Sequence, residues 1–353
     1  MELTRTDVAR LRLVSQGLIE PWPTAQDAVR TFGCTQGQDY PGSTASIALR
    51  TTGRTLAGVR DAYDGGQIVR SWPMRGTLFV VPAEDLGWML SLTAPKVHAS
   101  TGRRREQLGF TDAQLDRAAD LVTEALAGTG LTRAELLRAC VDGGHDIEGG
   151  RGYHTLFHLA VAGLIVQGPT AGKEQRWVLA SEWIANPRTL ERDEAIAEWL
   201  RRYLTTHGPV PLADFSWWTK LTKREVAGIA DALRGEFAHA VVDGLEHWFA
   251  PDLLDRAAAL GGSLDRPLLV PGFDEVVLGY GDRSAALTKD EEALVVPGGN
   301  GMFKPTLVVG GRAVGTWKRP TRKNEPVTVE PFAGPLPRRV VDALPSLTQR
   351  LPA

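Results

Sequence analysis

Gln36 and Gln38 flank Gly37 in the stretch FGCTQGQDYPGS, residues 32–43, and Asp39, Tyr40 and Pro41 follow at once. The two amides offer carbonyl oxygens that accept hydrogen bonds and NH₂ groups that donate them. The neighbouring carboxylate can accept a proton. Gln-Gly-Gln is poor helix material and poor strand material, so two readings stand. On spacing alone a polar surface turn accounts for the run; alternatively, the amides are aimed at a ligand.

Other chemical devices are missing from the sequence. GYGDRS (279–284) fails the dinucleotide-binding pattern at its last position. GPTAGKE (168–174) is one residue short of a phosphate-binding loop and lacks Ser or Thr after Lys173. No G-x-S-x-G elbow occurs. His154 and His158 lie four apart on a predicted helix, but no H-E-x-x-H or paired-cysteine pattern supports a metal site. Tyr153, Leu156, Phe157 and Leu159 crowd the same element, which makes a structural role the simpler reading for both histidines. Neither metal nor cofactor is expected.

The chain has 353 residues, of which 43% are apolar, enough for about two to four domains with more than one core. Two cysteines, Cys34 and Cys140, argue against a disulfide framework and fit a reducing compartment. No leader pattern and no run of about 18 apolar residues is present, so a cytoplasmic protein without membrane contact is expected. The net charge of −2 does not favour a nucleic-acid partner, but its distribution does. Residues 293–324 carry Lys304, Arg312, Lys318, Arg319, Arg322 and Lys323 with no acidic residue, and Phe303 and Trp317 are interleaved. A basic run with aromatics suits contact with backbone phosphates, whereas an isolated cluster more often solvates a surface. Arg103, Arg104 and Arg105 form a second cluster in a predicted linker.

Three groups of helix signals each precede a strand pair. LTRTDVARLRLVSQGL, STASIALRT and TLAGVRDAYDGG lead to QIVRSWPMRGTLFVV, with a turn at Pro-Met-Arg-Gly. TDAQLDRAADLVTEALAG, TRAELLRACVDGG and YHTLFHLAVAG lead to LIVQG and QRWVLA, with Thr111-Asp112 and Thr132 as predicted N-caps. LERDEAIAEWLRRYLTTHG, PLADFSWWT and TKREVAGIADALRG lead to FAHAVVDGLEHWFA, whose Asp243-Gly244 is a hairpin signal. Three helices and then a hairpin is the order of a winged helix. From about residue 263 the texture changes. RPLLVPGFDEVVLGY, TLVVGGRAVGTWKRP and PVTVEPF read as short strands of a small barrel or curled sheet, with Gly310-Gly311 as a hairpin tip. The predicted class is α+β: winged helices at 1–105, 106–186 and 187–255, followed by a β-barrel-like domain at 256–353.

TQGQDYPG, IALR, VRSWPMRGTLFVVP, LLVPGFDEVVLGYGDRS, NGMFKPTLVVGGRAVGTWKR and VEPF occur in that order from about residue 4 to 335. Together they resemble the winged-helix DNA glycosylases of the AlkZ and YcaQ type. That resemblance implies three tandem winged helices and a C-terminal β-barrel around a DNA-sized channel. It also makes Gln36-Gly37-Gln38 the family's catalytic signature, in its Gln-x-Gln branch. Two departures stand out: Gly37 replaces an alanine or aliphatic residue, and Phe79 stands where relatives often carry histidine.

The resemblance implies excision of cationic N7- or N3-alkylated purines from duplex DNA by a monomeric enzyme. Gln36, Gln38 and Asp39 are its expected catalytic residues. Expected DNA contacts are Tyr40, Arg70, Trp72, Arg75, Lys304, Trp317, Lys318, Arg319, Arg322 and Lys323, with Trp72 equally readable as a core aromatic. A glutamine cannot form a Schiff base, so a monofunctional enzyme is expected. The competing reading is a non-catalytic winged-helix DNA-binding protein such as a regulator.

Overall fold

The computed structural model describes residues 1–320, 322 and 325–352. The chain folds into two compact units, one of residues 1–59 and 196–353, the other of residues 60–195. The first is discontinuous: the chain leaves it after Val59 and rejoins it at Ile196.

Threonine caps start many of the helices. Thr4, Thr111, Thr132, Thr222 and Thr288 each accept a backbone N–H from an acid or amide three residues on, whose side chain reaches back to the cap. Each such box stabilises a helix start by about 1 kcal/mol. The caps foreseen at Thr111 and Thr132 are both of this kind. Asp112–Leu126, Arg133–Asp142 and Arg151–Val161 precede the hairpin Ile165–Ala171/Glu174–Leu179. Arg192–His207, Leu212–Thr219 and Lys223–Leu233 precede Ala238–Val242/Leu245–Phe249. The helix, helix, helix, hairpin order thus appears in these two stretches. The first stretch holds an extra helix, Ala25–Phe32, between Arg5–Ser15 and Tyr40–Leu49.

Within the second unit four strands lie in the order Thr77–Pro82, Ile68–Met74, Ile165–Ala171, Glu174–Leu179. The hairpin tip Arg75-Gly76 has φ of 60° and 67°, and Asp243-Gly244 has 50° and 79°, left-handed pairs that match the strand twist. The core of this unit gathers Trp72, Phe157, Trp177, Leu136, Val122 and Leu159. The arginine cluster at 103–105 lies in the last turns of a 22-residue helix, Leu86–Gln107, and not in a linker.

In the first unit no closed barrel is found among the described residues. Strands Thr328–Pro331, Arg312–Lys318, Thr306–Val309 and Pro267–Val270 form an open antiparallel sheet in that order. Its core contains Leu269, Leu307, Trp317 and Val327, against which Leu344 and Leu347 of the helix Arg338–Gln349 pack. The apolar run read as strand through residue 280 ends as sheet at Val270, and Glu275–Leu278 is a short helix. Phe273, with φ of 61°, turns the chain between the two. Gly310-Gly311 is the tip of a hairpin, with φ of 57° and 79°. A Cβ on Gly311 would lie 2.0 Å from the Ala9 carbonyl oxygen, so this tip packs on the first helix.

Candidate active site

Thr24 caps the helix Ala25–Phe32 and Gly33, with φ of 79°, ends it. Two residues later the chain enters the loop. The Gln36 backbone N–H donates to Glu275 Oε1 at 2.7 Å. The Gln36 side chain curls back, and its Oε1 accepts the N–H groups of Gly37 at 2.9 Å and Gln38 at 3.0 Å. Gln36 is therefore buried, and its carbonyl oxygen is spent on ordering the loop. Gln38 and Asp39 are exposed. The two glutamines are not equivalent: one shapes the turn and the other faces outward.

Asp39 caps the ten-residue helix Tyr40–Leu49, accepting the Gly42 N–H at 3.1 Å, and Pro41 supplies the favourable early proline. A Cβ on Gly42 would lie 2.4 Å from Asp39 Oδ2, so glycine makes room for this cap. The positive end of the helix dipole lies at Asp39 and favours negative charge there. Tyr40 is half-buried, and its carbonyl accepts from Ser43 Oγ and Thr44 Oγ1.

Beneath the loop sits a buried polar network. Arg50 holds Asp274 through two 2.8 Å bonds, and Ser46 adds a third at 2.7 Å. Both partners of this ion pair are 1% exposed. Burial alone would raise the Asp274 carboxyl, but the Arg50 guanidinium and these hydrogen bonds hold it below the usual range. Gln16 bridges Arg50, Tyr280 and the Glu275 carbonyl. His207 Nε2 lies 3.5 Å from Glu275 Oε2. Burial lowers the His207 pKa despite that carboxylate, which favours the neutral imidazole. Burial also pushes the Tyr280 hydroxyl up to about 12, leaving it a donor to the His207 carbonyl.

The expected DNA contacts divide. Trp72 is 3% exposed, stacked 6.0 Å from Trp177 and edge-on to Phe157, so it is a core aromatic of the second unit. Trp317 is 5% exposed and donates to the Val270 carbonyl. Neither ring is available to a phosphate or a base, and both are withdrawn as contacts. Arg70 is half-buried and donates to Gln167 Oε1 at 2.6 Å. Arg75 sits at its hairpin tip over the buried ring of Phe79.

The run that is free of acids in sequence meets acids in space. Lys318 pairs with Glu330 at 3.0 Å, Arg322 with Glu325 at 3.6 Å and Arg312 with Glu291 at 3.3 Å. Lys304 and Arg319 are exposed. Lys323 lies outside the described residues. The Gly310-Gly311 tip is packed, whereas Arg319 and Arg322, which follow Lys318, are exposed.

Sequence reading missed Arg50, His207, Asp274 and Glu275. The available signal was Asp274-Glu275, two adjacent acids set between LLVPGF and VVLGY, an apolar context in which carboxylates need partners. Among the described residues no group of three His, Cys, Asp or Glu side chains is placed to hold a metal. No described helix is long and apolar enough to cross a membrane. Cys34 and Cys140 are buried free thiols.

Comparison with known proteins bears on this site. The family model described as DNA glycosylase AlkZ-like matches residues 29–351. An interstrand DNA cross-link repair glycosylase of Streptomyces sahachiroi is 26% identical over 310 residues, spanning 84% of this chain and 82% of that protein. The solved structure of the Streptomyces sahachiroi DNA glycosylase AlkZ superposes with a TM-score of 0.80 at 24% identity, covering 100% of this chain and 99% of that one.

Proposed function

This chain belongs to the AlkZ-like DNA glycosylase family, and within it we propose a monofunctional, monomeric enzyme that hydrolyses cationic N7- or N3-alkylated purines from duplex DNA. The observation that carries the reading is the outward presentation of Gln38 and Asp39 at a helix start, above a loop pinned by Gln36 and Glu275. An alkylated purine is already cationic. Its glycosidic electron pair leaves on the purine nitrogen, the base departs neutral, and no general acid is required. What remains is to steady the oxocarbenium at C1′ and to deliver water. The Gln38 carbonyl dipole serves the first task and its NH₂ holds the water. The water oxygen bonds to C1′, and Asp39 accepts the proton released. The product is an abasic site with the strand intact.

The reading places this chain in the Gln-x-Gln branch and keeps the tandem winged-helix plan as the scaffold around DNA. The name of the Streptomyces relative supports a bulky adduct or interstrand cross-link as substrate. Lys304 and Arg319 are then the phosphate contacts best presented, with Lys318 and Arg322 available once they leave Glu330 and Glu325.

The test is excision from a duplex carrying N7-methylguanine or a bulkier N7 adduct, read as strand cleavage after alkali. Gln38→Ala should lose at least about a hundredfold in single-turnover rate. Wild-type excision by that variant would remove Gln38 from the chemistry. Strand scission without alkali would overturn the monofunctional assignment.

A further inference from the structure

We propose that Glu275 is a positioning residue for the active-site loop, an inference that rests on the catalytic reading of Gln38. Glu275 is 1% exposed and comes from a part of the chain remote from the loop. Its Oε1 accepts the Gln36 N–H at 2.7 Å, shorter than the 2.9 and 3.0 Å bonds that the Gln36 side chain makes to Gly37 and Gln38. The neighbouring Asp274 takes the Arg50 guanidinium through two 2.8 Å bonds. The Arg50 fork is thus occupied by Asp274, and Glu275 is left to the loop.

The carboxyl is held in place from several sides. His207 Nε2 lies at 3.5 Å from its second oxygen, and Gln16 binds its backbone carbonyl at 3.2 Å. A Cβ on Gly279 would lie 2.8 Å from Glu275 Oε2 and 2.8 Å from His207 Cδ2, so a glycine keeps space for both. The chain of contacts runs from Glu275 to the Gln36 backbone, then from the Gln36 side chain to the backbone of Gly37 and Gln38. Moving the Glu275 oxygen shifts Gln36, releases the two amides its side chain caps, and changes where Gln38 points. Glu275 itself touches no reacting atom.

Two properties matter: an acceptor oxygen and the length that delivers it. Glu275→Gln keeps both. Glu275→Asp keeps the acid but draws the oxygen back by one methylene, and Glu275→Met keeps the bulk without the acceptor. Single-turnover excision of N7-methylguanine and affinity for lesion-free duplex are measured for all three, with Gln38→Ala in parallel.

Glu275→Gln is expected within about threefold of wild type. Asp and Met variants are expected to lose about ten- to hundredfold in rate, the worth of one such hydrogen bond, with duplex affinity unchanged. Wild-type rates in the Asp or Met variant overturn the proposal, as does a Gln variant that falls as far as Met. If a variant does not fold, hydrogen exchange of the wild-type Gln36 amide decides: exchange as fast as an open loop residue overturns it, and protection supports it. A fully active Gln38→Ala would instead strike the catalytic reading and leave the Glu275 hydrogen bond to be judged by that protection.

Discussion

Asp39 has two assigned tasks, and one substitution separates them. As an N-cap it accepts the Gly42 N–H through one oxygen at 3.1 Å. As a base it must take a proton from water at its exposed side. Asparagine caps helices about as well as aspartate, so Asp39→Asn keeps the cap and changes stability by no more than about 0.5 kcal/mol. It cannot accept the proton. General-base catalysis contributes about 10²- to 10⁴-fold, or about 2.7 to 5.4 kcal/mol of barrier at 1.36 kcal/mol per tenfold. Asp39→Ala loses the base and the cap together, adding about 1 kcal/mol of destabilisation. Gly42→Ala reaches the cap from the other side, since its methyl would occupy the place of Asp39 Oδ2. It should cost stability comparably. The assay is single-turnover excision beside urea unfolding for each variant. An Asp39→Asn enzyme within threefold of wild type, with Asp39→Ala showing only the stability loss, would refute the base assignment and leave Asp39 a cap.

Further outcomes follow from charge and burial. Lys304→Ala or Arg319→Ala should weaken DNA binding and flatten log Kd against log salt by about 0.9 for each phosphate no longer neutralised, while Lys318→Ala, already paired with Glu330, should change less; slopes unchanged from wild type in all three would place the region away from DNA. Asp274→Asn removes half of a fully buried ion pair and should cost about 3 to 5 kcal/mol by urea unfolding, most of it recovered in Arg50→Met/Asp274→Leu. Burial, then the neighbouring His98 and Arg105, lowers the His158 pKa to about 4. The folded state therefore binds its proton later than the unfolded chain, and stability is full above about pH 6.5 and falls as pH drops toward 4. His158→Gln should flatten the slope of Tm against pH across that window; an unchanged slope would show that other groups set it.

Local signals in the sequence transferred well to local structure. Threonine caps, Asp243-Gly244 and Arg75-Gly76 are decided by residues within a few positions of each other, and the structure follows them. The loop at 36–39 was singled out as catalytic through its resemblance to a family, because Gln-Gly-Gln carries no periodicity. Its support was not legible for a physical reason. Glu275 reaches Gln36 across 239 positions, and Ser46 reaches Asp274 across 228, so no window of sequence contains both partners. The basic run misled for a nearer reason, because its acids flank the 293–324 window directly. Counting charges along the chain gave six cations without an acid, whereas Glu291, Glu325 and Glu330 sit beside them in space. The barrel was inferred from Gly- and Pro-bounded apolar runs. The run through Asp274 and Glu275 leaves the sheet because Phe273 takes a left-handed φ and turns two acids inward.

The discontinuity of the first unit sets the order in which the loop and its hydrogen-bond partners are synthesised. The loop at 36–39 emerges from the ribosome early, but the groups that set it, Glu275, Asp274 and His207, arrive only after the whole second unit has been made. A nascent chain halted before residue 274 holds both glutamines without the carboxylates that bond Gln36 and Arg50 in the finished fold. Residues 60–195 are free to fold first, as a continuous stretch with its own core, while the N-terminal segment waits. The loop thus gains its long-range hydrogen bonds only when the chain is nearly whole.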